Sequence, residues 1–109
     1  MVKSGKPVND LATVKELVAC GNYVVSKRVM GYLVNHGYAY DETVEDVVAA
    51  IVPGDFFKSS QLKHMPGVYA DIYRHVKCYG EEWYVKLFLE ATGEAIVLIW
   101  SLKEEGYGF

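Results

Sequence analysis

The chain has 109 residues, 51% of them hydrophobic, with nine tyrosines, two tryptophans and a net charge of −3. That composition makes one domain (residues 1–109) with one core, and it excludes a disordered chain. No apolar run reaches the ~18 residues that span a bilayer, and MVKSGKPVND has no secretory stretch. Cys20 and Cys78 follow no metal-ligand spacing. The expectation is a cytoplasmic protein with reduced thiols, no metal and no cofactor.

Residues 1–9 read as a loose arm. Leu11, Val14, Leu17 and Val18 then recur at helical spacing, with Asn9 or Asp10 as cap and Gly21 as terminator. Tyr23 to Val25 is a short β-branched run. Ser26 can cap a second helix with Val29 and Leu33 on its apolar stripe, ending at Gly37. Thr43 and Asp46 resemble a capping box that opens a third helix burying Val44, Val47, Val48 and Ile51, stopped by Pro53-Gly54.

After Pro53 the period changes from helical to alternating. Asp55 to Ser60 reads as a strand, Gln61 to Gly67 as a loop, and Val68 to Val76 as a second strand. Tyr79 to Glu81 turns the chain. Trp83 to Glu90 and Ala95 to Lys103 are two more strands around a Gly-containing turn, and 104–109 is a C-terminal tail. The fold class is therefore α+β, with three N-terminal helices packed on a mainly antiparallel sheet.

An acidic net charge argues mildly against nucleic-acid binding, but the charge is uneven. Acids crowd Asp41 to Asp46, whereas Lys58 to Lys86 holds five Lys/Arg against three acids. No Gly-rich phosphate loop, GxSxG elbow or HExxH motif is present. What remains is Lys and Tyr on strands: Lys58 at the end of one, Tyr84 and Lys86 on one face of another, Lys103 at the end of the last.

Whether Tyr84 and Lys103 meet is a question of hairpin parity. An even-numbered loop puts Ser101 and Lys103 on the face of Tyr84 and Lys86; a three-residue loop at Ala91 to Gly93 sends Lys103 to the other face. Two-residue Gly-containing loops are the commoner kind, which favours convergence. Ammonium groups around one phenol suit phosphodiester cleavage in RNA, which carries its own nucleophile in the 2′-hydroxyl. The enzyme then has to align that group, move its proton and stabilise the charged transition state. Tyrosine is a poor base unless nearby cations lower its pKa.

These residues also carry a resemblance. L-x-x-V-K-x-L-V-x-x-G (Leu11 to Gly21), DFFKS (Asp55 to Ser59), D-I-Y-R (Asp71 to Arg74), Y-V-K (Tyr84 to Lys86) and S-L-K-E (Ser101 to Glu104) follow one another as in the MqsR-type toxins of bacterial type II toxin–antitoxin systems. The resemblance implies a RelE-like α+β fold and an mRNA interferase that cleaves single-stranded mRNA and is neutralised by a cognate antitoxin. It places the family's catalytic lysine on Lys58, its tyrosine on Tyr84 and its C-terminal lysine on Lys103. The family glutamine before D-V-Y-R is matched by Ala70, and the terminal GYGF is extra.

In this reading Tyr84 is the general base or orients the 2′-hydroxyl, Lys58 and Lys103 stabilise the phosphorane, and Arg74 and Lys86 hold flanking phosphates. The products would be a 2′,3′-cyclic phosphate and a 5′-hydroxyl. The rival reading is a catalytically silent protein-binding module on the same scaffold.

Overall fold

The computed structural model describes residues 2–3, 5–90 and 93–107. Two helix starts follow directly from local chemistry. Helix α1 (Leu11–Ala19) begins where the Asp10 carboxylate accepts from the Thr13 amide, and it ends before Gly21 at φ 82°, a left-handed position that glycine takes without strain. Helix α2 (Lys27–Asn35) begins where the Ser26 hydroxyl accepts from the Val29 amide at 3.3 Å. Helix α3 (Tyr40–Ala50) departs from expectation. It starts three residues before Thr43, and its capping residue, Ala39, makes no side-chain bond. Thr43 is instead buried inside the helix, so tertiary packing overrides the capping signal.

Six strands form one sheet in the order β1-β3-β4-β5-β6-β2: β1 (Val2–Lys3), β2 (Tyr23–Val25), β3 (Phe56–Gln61), β4 (Tyr69–Cys78), β5 (Glu81–Glu90) and β6 (Ile96–Glu104). Every pairing is antiparallel except β2 with β6, which is parallel. The expected layout of helices first and strands after is therefore corrected: β1 precedes α1, and β2 lies between α1 and α2. The reason is a long-range pairing. The Tyr23–Val25 run finds its hydrogen-bond partners on the edge of β6, and no helix intervenes.

One face of the sheet carries the core. Val14, Val18, Leu33, Val44, Val47 and Val48 of the helices pack against Tyr73, Val76, Trp83, Val85, Leu87, Val97, Ile99 and Leu102. The segment expected to be a loose arm is pinned on this side at its end. Asp71, fully buried, accepts from the Val8 amide at 3.0 Å, the Asn9 amide at 2.8 Å, the Asn9 side-chain amide at 3.0 Å and the Ser59 hydroxyl. Asn9 also accepts from the Leu89 amide at 3.0 Å. The C-terminal tail is likewise held up to Tyr107, whose ring lies 4.6 Å from that of Tyr32.

Tyr73 sits in this core with no exposure, and its hydroxyl has no hydrogen-bond partner among the described residues. Burial accordingly pushes its pKa far up. An unpaired buried hydroxyl costs about 1–3 kcal/mol. Tyr73→Phe removes that cost at almost unchanged shape, so it is expected to raise the melting temperature by several degrees in a calorimetric scan. A lower melting temperature would show that the hydroxyl has a partner after all.

Candidate functional site

The face opposite the helices carries the cations. In register across four strands lie Lys58 on β3, Ile72 on β4, Lys86 on β5 and Ser101 on β6. Directly paired cross-strand residues share a face, and so do residues two apart on one strand. Tyr84 and its partner Lys103 therefore stand one step along from Lys86 and Ser101 on this same face. With strands ~4.8 Å apart, the Lys58 and Lys86 α-carbons are separated by about 10 Å, a span that two lysine stems can close over a phosphate. Lys58 lies inside β3 and not at its end.

The convergence of Tyr84 and Lys103 arises by a route that parity alone did not anticipate. Glu90 pairs with Ile96, so the odd-numbered segment 91–95 joins the strands, of which Ala91 and Thr92 lie outside the described residues. That register pairs Phe88 with Leu98 and would send Lys103 to the core side. A β-bulge at Trp100, the extra β6 residue opposite the Lys86–Leu87 step, shifts the register by one residue and pairs Tyr84 with Lys103. The Lys103 ammonium then lies 5.0 Å from the centre of the Tyr84 ring.

A fifth cation comes from a place that sequence reasoning missed. Arg28, in the first turn of α2, donates from Nη2 to the Ser101 hydroxyl at 3.0 Å and to the Trp100 carbonyl at 3.3 Å. Its position follows from the β2–β6 pairing, which lays the start of α2 along the β6 edge. One signal was available. Lys27 and Arg28 are cations in a helix's first turn, which lacks acids, where the dipole disfavours positive charge.

Arg74 reaches the same side but is engaged. Its Nη2 donates to Glu105 at 2.9 Å, while its buried Nε–H has no partner among the described residues. The exposed Phe57 ring lies between Arg74, at 5.4 Å, and the Lys58 ammonium, at 5.3 Å. Burial would raise the Glu105 pKa, but the hydrogen bonds from Arg74 and the His75 amide, with their charges, bring it below the usual carboxylate range.

The titration of the two central groups runs against expectation for one of them. Burial raises the Tyr84 pKa; Arg74 and Arg28 pull it down and Glu105 pushes it up, with a net rise. The phenol thus keeps its proton at neutral pH. Lys86 shifts the opposite way. Burial, then Arg28, then Lys58 all lower its pKa from the ordinary lysine value, so this amine gives up its proton more readily than a free lysine.

Ala70 is fully buried on this face, in a small apolar cluster with Leu62 and Phe88. It pairs with Ser60, one step along the strands from the Lys58–Ile72 pair. The site accordingly has a cationic half, at Lys58, Lys86, Lys103 and Arg28, and an apolar half beneath the 62–67 loop.

Residues 6–104 match the family model described as motility quorum-sensing regulator, toxin of MqsA. The chain belongs to this family. Members of the MqsR family are toxins of toxin–antitoxin pairs, which gives this MqsR-family chain an antitoxin as its partner. No curated protein matches the chain. Among the described residues no helix is long and apolar enough to cross a membrane.

Proposed function

We propose that this MqsR-family toxin is a metal-independent endoribonuclease on a RelE-like scaffold, an mRNA interferase that cuts single-stranded mRNA in the cytoplasm and is silenced by its cognate antitoxin. The observation that supports it best is the gathering of Lys58, Lys86, Lys103 and Arg28 around Tyr84 on the helix-free face. Unpaired RNA suits such a face because its backbone bends for in-line attack.

In the reaction, the 2′-oxygen attacks phosphorus, the bond from phosphorus to the 5′-oxygen breaks, and a 2′,3′-cyclic phosphate and a 5′-hydroxyl result. Lys58 and Lys103 stabilise the phosphorane, and one of these ammonium groups gives its proton to the leaving 5′-oxygen. Of the two roles open to Tyr84, its raised pKa favours the orienting hydroxyl over the base. The 2′-hydroxyl proton then goes to Lys86, whose pKa burial and the neighbouring Arg28 and Lys58 lower from the ordinary lysine value. Arg28 holds a flanking phosphate. Arg74, whose side chain stays 39% exposed beside its ion pair with Glu105, holds another.

Lys58→Ala and Tyr84→Ala are each expected to abolish cleavage of a single-stranded RNA in the presence of EDTA, and growth arrest on induction, with the melting temperature nearly unchanged. Undiminished cleavage by both variants would remove the assignment.

One observation favours a second reading, a catalytically silent module that binds only its protein partner. Where the family's glutamine would extend into the site, Ala70 leaves an apolar patch. Tight antitoxin binding by a wild-type chain that cleaves no RNA would select this reading.

A further inference from the structure

Beside the cationic row is a cavity of about 190 Å³ lined by Leu62, Lys63, His64, Met65, Lys86 and Trp100. Three features make it more than a surface dimple. Its outer wall is a fastened loop: the Leu62 amide donates to the Val68 carbonyl at 2.9 Å, Val68 to Met65 at 3.0 Å and Met65 to Leu62 at 3.2 Å. Its floor adjoins the second apolar cluster, where Phe88 lies 6.1 Å from the Trp100 ring. Its inner rim is Lys86, which also belongs to the row around Tyr84.

Trp100 is the unusual member. It is the extra residue of the bulge in β6, which sets it beside Ser101 at this rim, and it stays 38% exposed although it is among the largest apolar surfaces in the chain. An indole face left open next to an ammonium group is a stacking platform beside a phosphate site. The volume is below the ~300–1,000 Å³ of pockets for drug-sized ligands, so it fits a single planar ring system. Lys63 and His64 add polar groups on one wall, where the edge of such a ring would lie.

We propose that this cavity is a nucleobase subsite, in which the unpaired base next to the scissile phosphate stacks on Trp100 and presents its edge to Lys63 and His64. The inference rests on the nuclease reading, to which it adds how the substrate is gripped beyond its phosphates.

Fluorescence of the wild-type protein tests it, because the second tryptophan, Trp83, is fully buried and serves as an internal background. The probe is a single-stranded RNA made uncleavable by 2′-O-methylation, compared with an oligomer of equal length whose sugars carry no bases. The RNA is expected to quench the emission and the abasic oligomer to leave it unchanged. Trp100→Ala should lose the quenching and raise KM for cleavage about 5- to 100-fold, the range of one base stacked on an aromatic ring, with kcat changed less. Trp100→Phe should recover much of the loss. Cleavage with unaltered KM in Trp100→Ala, or equal quenching by both oligomers, would overturn the subsite and leave the nuclease standing. A wild-type protein that neither binds nor cleaves RNA would overturn both.

Discussion

Lys86→Arg is expected to bind single-stranded RNA within a few-fold of wild type and to cleave it about 10²–10⁴ times more slowly, the usual worth of proton transfer. Arginine keeps the positive charge and the reach to phosphate but does not give up its proton at any working pH. The substitution therefore separates two roles that alanine would remove together. If Lys86 only holds a phosphate, Lys86→Arg will cleave at close to the wild-type rate. The pH profile gives an independent measurement. A proton acceptor works in its neutral form, so kcat/KM should rise with pH and level off below the ordinary lysine value of 10.5, because burial, Arg28 and Lys58 lower the pKa. The rise should vanish in Lys86→Arg. A profile flat in wild type would assign the proton to another group.

The largest expected effect on folding is at Asp71. Asp71→Ala removes a fully buried acceptor that serves four donors. Each donor left unpaired costs about 1–3 kcal/mol, partly relieved where Asn9 and Val8 can swing outward. A net loss of about 3–5 kcal/mol follows, a large part of the 5–15 kcal/mol that holds a domain of this size together. At roughly 4 °C per kcal/mol the melting temperature falls by about 12–20 °C. Ser59→Ala, which removes one donor and leaves Asp71 three, should cost only about 1 kcal/mol. A thermal melt of Asp71→Ala within a few degrees of wild type would contradict this account. The comparison also separates the two halves of the DFFKS motif: Ser59 is there for the fold, while Lys58, beside it in sequence, faces the opposite side of the sheet.

How much was legible in the sequence depended on how far each decision reached along the chain. Asp10 and Ser26 were readable as caps because the amides they satisfy lie three residues away. The turn at Tyr79 was readable too, since Tyr79 and Gly80 both take positive φ in a two-residue hairpin. Thr43 misled because it is the first residue that α3 buries, while an exposed turn from Tyr40 precedes it, with Asp41 and Glu42 favoured near the helix's positive end. Tyr84, Lys86 and Lys103 were correctly expected on one face, although the loop-length reasoning behind that expectation does not hold. An odd connection followed by a bulge gives the same outcome as an even connection without one. Arg28 carried only a faint local hint, its charge in the first turn of a helix, and nothing that tied it to Ser101. Its place depends on β2 docking beside β6, over seventy residues later in sequence, and no local pattern encodes that choice.

The bulge at Trp100 also sets which parts of the last hairpin can vary. It divides β6 into two stretches of opposite phase, so whatever happens at the tip is not transmitted as a slip to the half that bears Ser101 and Lys103. Lengthening or trimming residues 91–95 should leave the amine and the phenol facing each other. Deleting the single residue Trp100 would close the ladder with Ser101 still opposite Lys86 and Lys103 still opposite Tyr84, so the protein would lose the indole and keep the pairing.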